Sequence, residues 1–486
     1  MSGCHSLNRI ALSLMLITGC ATLPNESSRA KMLSLPSINQ TLPADPESTR
    51  LIEDWPKAQW WRMMNNPELN RLIETALQDS PNLNAAAARL QQSMAVADFQ
   101  AAEMLPTLSA NAEMHQRRFS STDFYGPNGG KTFTGAYIDP AVFRYHLDIW
   151  GKDKAALEAA LGQERAQASD LAMAKLLLST AIARSYINLC TTTENLQLTQ
   201  SLSEKAEAQL KLNQLRWQRG LSQRDPVYAA EQQLAATHQQ LSTLRHQQQL
   251  LRNQIAMLAG KGPDWGNTIQ PHSDKLPAHL PDPATLALGL LRHRPDVTAA
   301  LWRVEAAAQT VKIAQTRFYP DVNLVGFAGL RSLYLKDLFM SHGASLAYGV
   351  GPSVSLPLFE GGRLDAELNN QQAGYDAAVD HYNQTLLSAA QQVADSVADW
   401  RQITEHDAAQ EQALAAAEAE NHLSSRRFLA GISSRDMTLE AEAKQLRQQL
   451  TSSEMHGAQL LAAIGLIEAL GGGYEQSAAP SHILIP

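Results

Sequence analysis

The segment from Gly126 to Thr132 carries the residue types of a phosphate-binding loop. It reads Gly-Pro-Asn-Gly-Gly-Lys-Thr, and a Walker A loop uses such residues to direct backbone amides at phosphate from the start of a helix. Here the first glycine is one residue too close to the Gly-Lys pair, and the residues that follow favour a strand. We therefore interpret the segment as a surface loop between strands.

Histidine and cysteine residues give no further catalytic or metal-binding pattern. Three histidines occupy a proline-rich connector without a carboxylate at ligand spacing, and no two cysteines form a Cys-x-x-Cys pair. These residues are His272, His279 and His293, and Cys4, Cys20 and Cys190. The motifs Gly-x-Ser-x-Gly, His-Glu-x-x-His and Gly-x-Gly-x-x-Gly are absent. The sequence predicts no enzyme, no metal site and no cofactor other than a covalent lipid, argued next.

Cys20 differs from the other cysteines because it follows a short apolar run, residues 10–17. That run is too short to cross a bilayer and has the layout of a secretory signal. The tetrad from Ile17 to Cys20 resembles a bacterial lipobox, in which signal peptidase cuts before a cysteine that carries diacylglycerol. Residues 1–19 are thus predicted to be a signal peptide and Cys20 the lipid attachment site. In such lipoproteins an aspartate directly after the cysteine favours retention at the inner membrane. Here that residue is Ala21, so we expect the protein in the outer membrane.

The composition of the 486 residues favours long helices. Alanine, glutamine and leucine dominate long stretches and aromatic residues are only 6%, which suits extended helices with small-residue interfaces. The net charge of −8 predicts no phosphate-neutralising surface, so nucleic acid is not an expected partner.

A domain-sized unit occurs twice in the chain. Pro81 and Pro106 bracket a helical stretch, and Pro295 and Pro320 bracket another 214 positions later. After each bracket, apolar and polar residues alternate with the period of a strand. Each half is therefore predicted to contain a strand pair.

Each half then continues into a very long helix. Residues 152–219 and 363–430 contain no proline, and at about 1.5 Å per residue each helix would be roughly 100 Å long. Equivalent turns follow at Gly220 and Gly431, where Ser222 and Ser433 are expected to cap the next helix. Leucines at heptad spacing predict coiled-coil return arms beyond these turns. They include Leu234, Leu241, Leu244 and Leu251 in the first copy and Leu439, Leu446 and Leu450 in the second.

Four strands per chain are too few to close a small membrane barrel, and open strand edges are not tolerated in lipid. If the strands lie in a membrane, they must be pooled between subunits. Their number alone leaves a dimer and a trimer open.

Several motifs carry a specific resemblance that covers nearly the whole chain after residue 20. They are Asp54 to Trp61, Asn66 to Leu69, Arg294 to Asp296, Phe318 to Pro320, Leu356 to Leu364, Gly471 to Tyr474 and the duplicated Gly-x-Ser-x-Arg-Asp turns. With these the chain resembles the TolC superfamily of outer-membrane efflux channels, in its lipoprotein (NodT-type) branch. The resemblance implies a mainly α fold with a small membrane β portion. Long antiparallel coiled-coil helices would form a periplasmic α-barrel, and four strands per chain would contribute to a trimeric 12-stranded β-barrel.

The resemblance also implies a function. Such a chain is the outer-membrane channel of a tripartite multidrug or small-molecule efflux system associated with antibiotic resistance. It would be a passive duct, lipid-anchored in the cell outer membrane, that extends into the periplasm as a homotrimer. Its other partners would be a periplasmic adaptor (membrane fusion) protein and an inner-membrane transporter.

The family further implies roles for residues at the two helix turns. The tips would meet the adaptor through Gly220, Arg224, Asp225, Gly431 and Arg435. Carboxylates beyond the second tip glycine would constrict the periplasmic entrance, and the candidates are Asp436 and Glu440. Their spacing of four departs from the family's spacing of three, so a helix-stabilising role for Asp436 stays open. The same role is favoured for Asp225.

The predicted domains follow from these elements. They are a signal peptide (1–19), a lipid-anchored N-terminal segment (20–62), a first repeat (63–270) with strand pair 106–150 and a tip near 220, a connector (271–292), a second repeat (293–470) with strand pair 320–359 and a tip near 431, and a C-terminal tail (471–486).

The alternative function is a lipid-anchored periplasmic coiled-coil scaffold without a pore, which would require the alternating segments to pack on each other.

Overall fold

The computed structural model describes residues 30–34, 57–122, 126–272, 277, 294–339 and 345–474. The predicted signal peptide and Cys20 lie outside these ranges, as do most of the connector and of the C-terminal tail. The described chain divides into two units. The sheet unit contains residues 30–32, 91–166 and 300–382, and the helical unit contains the remaining described residues.

The helices are few and long. Helices α1 (Pro67–Asp79) and α2 (Pro81–Glu103) precede the first strands, and α6 (Pro295–Thr316) precedes the second pair. The two predicted rods are α3 (Lys152–Gln218) and α7 (Arg363–Leu429), each of 67 residues. The return arms are α4 (Asp225–Leu258) and α8 (Arg435–Ala469), and a short α5 (Pro263–Gly266) follows α4. None of the helices in the described ranges has an apolar stretch long enough to cross a membrane.

Four strands form one antiparallel sheet in the order β1-β2-β3-β4. They are β1 (Thr107–Arg118), β2 (Thr132–His146), β3 (Asp321–Ser332) and β4 (Leu346–Ser355). The two predicted strand pairs are thus confirmed, and β2 joins them by pairing with β3. The segment that resembles a phosphate-binding loop begins with a turn of 3-10 helix (Gly126–Asn128) and leads into β2 at Thr132, in agreement with its interpretation as a loop between strands.

Small residues allow the helices of the sheet unit to approach closely. Ala155 of α3 and Ala306 and Ala314 of α6 are buried. At Gly162 of α3 an added Cβ would lie 3.0 Å from the Cβ of Ala306 and 3.3 Å from its backbone. The backbones of α3 and α6 can therefore meet only because a glycine stands there.

The core of the helical unit lies between α1, α3, α4 and α8. Its buried side chains include Trp60, Leu69, Ile182, Tyr186, Ile255, Ile464 and Ile467. The indole Nε1 of Trp60 donates a hydrogen bond to the Ser179 hydroxyl at 3.2 Å. Trp60, shortly before the first helix, is therefore packed against α3.

The Gly471-Gly472-Gly473-Tyr474 motif closes this core after α8. All three glycines have positive φ, from 63° to 88°, which side chains with a Cβ rarely adopt. A Cβ at Gly472 would lie 2.2 Å from Leu176, and the Tyr474 hydroxyl lies 3.2 Å from that of Ser169. The motif thus lets the chain reverse tightly against α3.

Candidate functional site

The two turns that join the long helices to their return arms have the same backbone geometry. Gly220 and Gly431 have φ of +71° and +73°. The amides of Leu221 and Ile432, one residue later, donate to the carbonyls of Arg216 and Arg427, five residues earlier, at 2.8 and 2.9 Å. This is the Schellman arrangement that a glycine permits at a helix end. We call the turns 218–225 and 429–435 the first and second tips.

The start of each return arm differs from the prediction. Ser222 and Ser433 were expected to be helix caps, and this was wrong, because α4 and α8 begin later, with Arg224 and Ser434 at the N-cap. Neither of those side chains makes a capping hydrogen bond. Backbone hydrogen bonds after the glycine already fix the turn, so a serine cap is not required to start the helix.

Each tip is braced by an arginine that lies over an aromatic ring. The Arg224 guanidinium carbon lies 4.9 Å from the ring centre of Trp217 and 5.0 Å from that of Tyr228. At the second tip Arg435 lies 5.7 Å from the ring of Phe428. Such cation–π contacts contribute about 0.5–1 kcal/mol at exposed sites. The arginine therefore ties the end of one helix to the start of the next in both copies.

Aliphatic side chains project from these braced turns. Leu221 is 74% exposed, Leu429 84% and Ile432 78%. Large exposed aliphatic groups next to fixed arginines have the composition of a protein-binding surface. Of the adaptor-contact candidates, the structure places Gly220, Arg224 and Asp225 at the first tip and Gly431 and Arg435 at the second.

Asp436, in the first turn of α8, points its carboxylate at the end of α3. Its Oδ2 lies 3.4 Å from Nη1 of Arg216, and its Oδ1 accepts a hydrogen bond from the side-chain amide of Gln209. Glu440 follows one helical turn later on the same face and is exposed. Both carboxylates line a cleft of about 300 Å³ with Lys205, Gln209 and Arg447. The structure therefore brings the two predicted carboxylates together.

Asp225 is the counterpart of Asp436 in the first copy of the turn. It is the first residue of α4 and is exposed, where a negative charge favours the helix dipole. This placement agrees with the helix-stabilising interpretation. The two aspartates therefore have different surroundings although both come from the duplicated turn.

The sequence also resembles known proteins. The family model "Outer membrane efflux protein" matches residues 72–261 and 289–472. The chain belongs to this family. The multidrug resistance outer membrane protein MdtP of Escherichia coli (strain K12) is 28% identical over 479 residues, with 95% of both chains covered. The fusaric acid resistance protein FusA of Burkholderia cepacia is 33% identical over 379 residues, 76% of this chain and 70% of that one.

Solved structures agree with this assignment. The outer membrane protein VceC of Vibrio cholerae matches with a TM-score of 0.78 and 34% identity, over 87% of this chain and all of VceC. The outer-membrane channel OprN matches with a TM-score of 0.79 at 24% identity, over 94% of this chain and all of OprN, and this supports the fold. The expected superfamily, fold class, efflux function and outer-membrane location are confirmed. Proteins of this family act as trimeric channels in tripartite efflux systems and form a class of ducts, not of enzymes.

One group of chemically active side chains escaped the sequence analysis. His146 ends β2, Asp148 lies in the segment between β2 and α3, and Asp153 lies in the first turn of α3. One ligand atom of each lies within 4.8 Å of the others. Their spacing spans a strand end and a helix start, so neither a strand nor a helix period relates them. A search for histidine and aspartate across element junctions could have found them.

Proposed function

We propose that three copies of this chain form a passive exit duct in the outer membrane. The duct would connect at its tips to a periplasmic adaptor protein and, through it, to an inner-membrane transporter that supplies the energy. The exported cargo would be multidrug-type small molecules, as the names of MdtP and FusA suggest for those relatives. An N-terminal lipid on Cys20 would anchor each chain.

The sheet is the observation that carries this proposal. Within the described residues, β1 pairs only with β2 and β4 only with β3, so both outer strands have an edge available for another chain. Apolar side chains on β4 are exposed: Tyr348 is 78% exposed, Val350 81% and Val354 65%. A single chain in water would leave both the strand edges and this apolar surface uncovered. Head-to-tail pairing of three chains would give twelve strands and cover every edge.

The scaffold alternative receives less support from the same sheet. It requires the alternating segments to pack their apolar faces on each other. In the structure they lie edge to edge in one layer, and the Tyr348 and Val350 side chains are exposed. A lipid-facing surface accounts for this exposure, whereas a pore-free scaffold in the periplasm leaves it unexplained.

A matched pair of lysine substitutions tests the membrane role of β4. Val350 and Ser353 lie on opposite faces of the strand, because their positions differ by an odd number. Val350→Lys would place a charge toward lipid at a cost of about 2–4 kcal/mol near the membrane centre, whereas Ser353→Lys would face water. We expect Val350→Lys to abolish assembly in the outer membrane and Ser353→Lys to assemble as wild type. Equal assembly of both variants would contradict the proposal.

Native mass spectrometry of protein extracted from outer membranes tests the subunit number and the anchor together. We expect a trimer whose chains begin at Cys20 and carry the mass of a triacyl group. A monomer or dimer would contradict the proposed closure of twelve strands by three chains. The Cys20→Ala variant should lack the mass of the triacyl group. If the variant still carries that mass, or if the wild type does not carry it, Cys20 is not the lipid attachment site.

A further inference from the structure

We propose that His146, Asp148 and Asp153 form a binding site for a divalent transition-metal ion at the junction between β2 and α3. This site goes beyond the channel function and is independent of it. The imidazole and two carboxylates are the ligand types that bind zinc and related metals in proteins. All three residues belong to the sheet unit.

The geometry of the three side chains is that of a converging ligand set. Nδ1 of His146 is in direct contact with Oδ2 of Asp153, and one oxygen of Asp148 lies within 4.8 Å of both groups. The side chains of His146 and Asp153 are only 19% and 17% exposed. Three protein ligands on one side would leave a further coordination position for water.

Asp148 provides the second, independent observation. Its Oδ2 accepts a hydrogen bond from the backbone amide of Lys154 at 2.9 Å, so one oxygen holds the start of α3. Its Oδ1 is sealed from solvent and has no hydrogen-bond partner in the structure. A buried carboxylate oxygen without a partner is energetically unfavourable. A His146–Asp153 ion pair alone would leave that oxygen unsatisfied, whereas a bound cation would satisfy it.

The second ring nitrogen of His146 lies near a further carboxylate, just beyond hydrogen-bond distance. Nε2 of His146 lies 3.7 Å from Oδ1 of Asp321, the first residue of β3. A carboxylate behind a ligating histidine orients the ring and raises its basicity. The other oxygen of Asp321 lies 3.7 Å from Nζ of Lys152. The negative charge of Asp321 therefore offsets the positive charge of Lys152. With a neutral imidazole, Asp148 and Asp153 then supply two negative charges for a divalent cation.

A metal at this position would join three elements. It would connect the last residue of β2 to the first turn of α3 directly, and to the start of β3 through Asp321. The junction lies beside a polar cleft of about 610 Å³ that His146, Asp148 and Asp321 help to line, so an ion could reach it from solvent.

The experiment measures zinc bound to the full-length protein in detergent. The protein carries no polyhistidine tag, is stripped with EDTA, is equilibrated with Zn²⁺ and is freed of excess metal by gel filtration. Elemental analysis then gives zinc per chain. The test variants are His146→Gln and Asp148→Asn, because the amide oxygen of an asparagine can still accept the hydrogen bond from the Lys154 backbone. His422→Gln, at an exposed histidine of α7, is the matched control.

We expect one zinc per chain in the wild type and in His422→Gln, and loss of that zinc in His146→Gln and Asp148→Asn. Asp321→Asn should bind zinc roughly 10–100-fold more weakly. Zinc well below one per chain in the wild type would overturn the proposal, as would equal zinc in the wild type and both ligand variants. Because the experiment measures bound metal and not transport, a negative result would contradict the metal site without contradicting the channel function.

Discussion

The carboxylate of Asp436 at the start of α8 lies 3.4 Å from the guanidinium of Arg216 near the end of α3. These residues are 220 positions apart and come from opposite copies of the repeat. The pair therefore links the two hairpins of one chain next to their tips. A link of this kind would have to break, or move as a unit, if the tips separate to widen the entrance.

Removing this link should favour the open entrance. A partly exposed ion pair contributes about 0.2–1 kcal/mol, so Arg216→Ala should shift the equilibrium between closed and open tips by at most about fivefold. If Asp436 and Glu440 form the entrance constriction, Asp436→Ala combined with Glu440→Ala would also remove negative charge there and should raise single-channel conductance in planar bilayers. Cation selectivity should fall with it, since carboxylate rings favour cations.

Asp225→Ala is the matched control for this prediction, because Asp225 lies in the first turn of α4 and is exposed. Conductance in Asp225→Ala should equal that of the wild type. If Asp436 serves only to stabilise its helix, Asp436→Ala with Glu440→Ala would lower thermal stability and leave conductance unchanged. That result would remove both residues from the constriction.

Arg294 should be among the most sensitive positions for stability. It is only 2% exposed, and its guanidinium donates to the Ala469 carbonyl at 2.6 Å, to Gln392 at 2.8 Å and to Asp296 at 2.8 and 3.0 Å. Removing one member of a fully buried charged pair costs about 3–5 kcal/mol, and the cost here is smaller because the Asp296 side chain is 28% exposed. Arg294→Met should therefore lower the thermal midpoint strongly.

The control for Arg294 is Arg426→Met, at an exposed arginine of α7. Its thermal midpoint should stay close to that of the wild type. Arg294→Lys keeps the charge without the planar guanidinium and should recover only part of the loss. Because large membrane assemblies unfold irreversibly, the comparison uses one scan rate. Equal midpoints for Arg294→Met and Arg426→Met would contradict the role assigned to the buried guanidinium.

The repeating elements could be predicted from the sequence because local rules determine them. The rods were expected at 152–219 and 363–430 and are Lys152–Gln218 and Arg363–Leu429. A long run without proline and a glycine at its end are sufficient to place such helices. Heptad leucines such as Leu241 and Leu251 are buried, as the coiled-coil prediction requires.

Contacts between distant elements could not be predicted in the same way. Nothing in the local sequence relates Gln209 and Arg216 to Asp436, because that contact depends on how α3 and α8 pack. The cluster of His146, Asp148 and Asp153 was missed for a different reason, since its members are close in sequence but lie on different elements. Local rules also failed for Ser222 and Ser433, where backbone hydrogen bonds replaced the expected side-chain caps.

Tyr186 should make stability depend on pH in the alkaline range. Burial raises the pKa of its phenol above the ordinary value of 10.0, with Cys190 nearby acting in the same direction. Since the folded pKa is higher than the unfolded one, this contribution to stability is fully present below about pH 10. It is lost as pH rises from there toward the folded pKa.

Tyr186→Phe removes this titration and provides the test. At neutral pH the variant should be less stable by about 1 kcal/mol, because the backbone amide of His272 loses the hydroxyl that accepts its hydrogen bond at 3.2 Å. Above about pH 10 the difference in thermal midpoint between the wild type and Tyr186→Phe should shrink. A difference that stays constant with pH would show that the phenol does not titrate differently in the folded protein.

The single glycines of the two rods should respond oppositely to the same substitution. Gly162 and Gly374 lie close to the start of α3 and α7. A Cβ at Gly162 would meet Ala306 at 3.0 Å, whereas a Cβ at Gly374 would have nothing within 4 Å in the chain. Gly162→Ala should cost about 1–3 kcal/mol through overpacking. Gly374→Ala should stabilise the helix by about 0.5–1 kcal/mol.

Thermal midpoints of the two variants and of the double variant measure this difference. The double variant should show the sum of the two effects, since the sites have different neighbours. Ala306→Gly removes the methyl group that a Cβ at position 162 would meet. It should therefore recover part of the stability lost in Gly162→Ala and should not change the effect of Gly374→Ala. If both single substitutions shifted the midpoint equally and in the same direction, the close approach of α3 and α6 at Ala306 would not be the reason that a glycine stands at position 162.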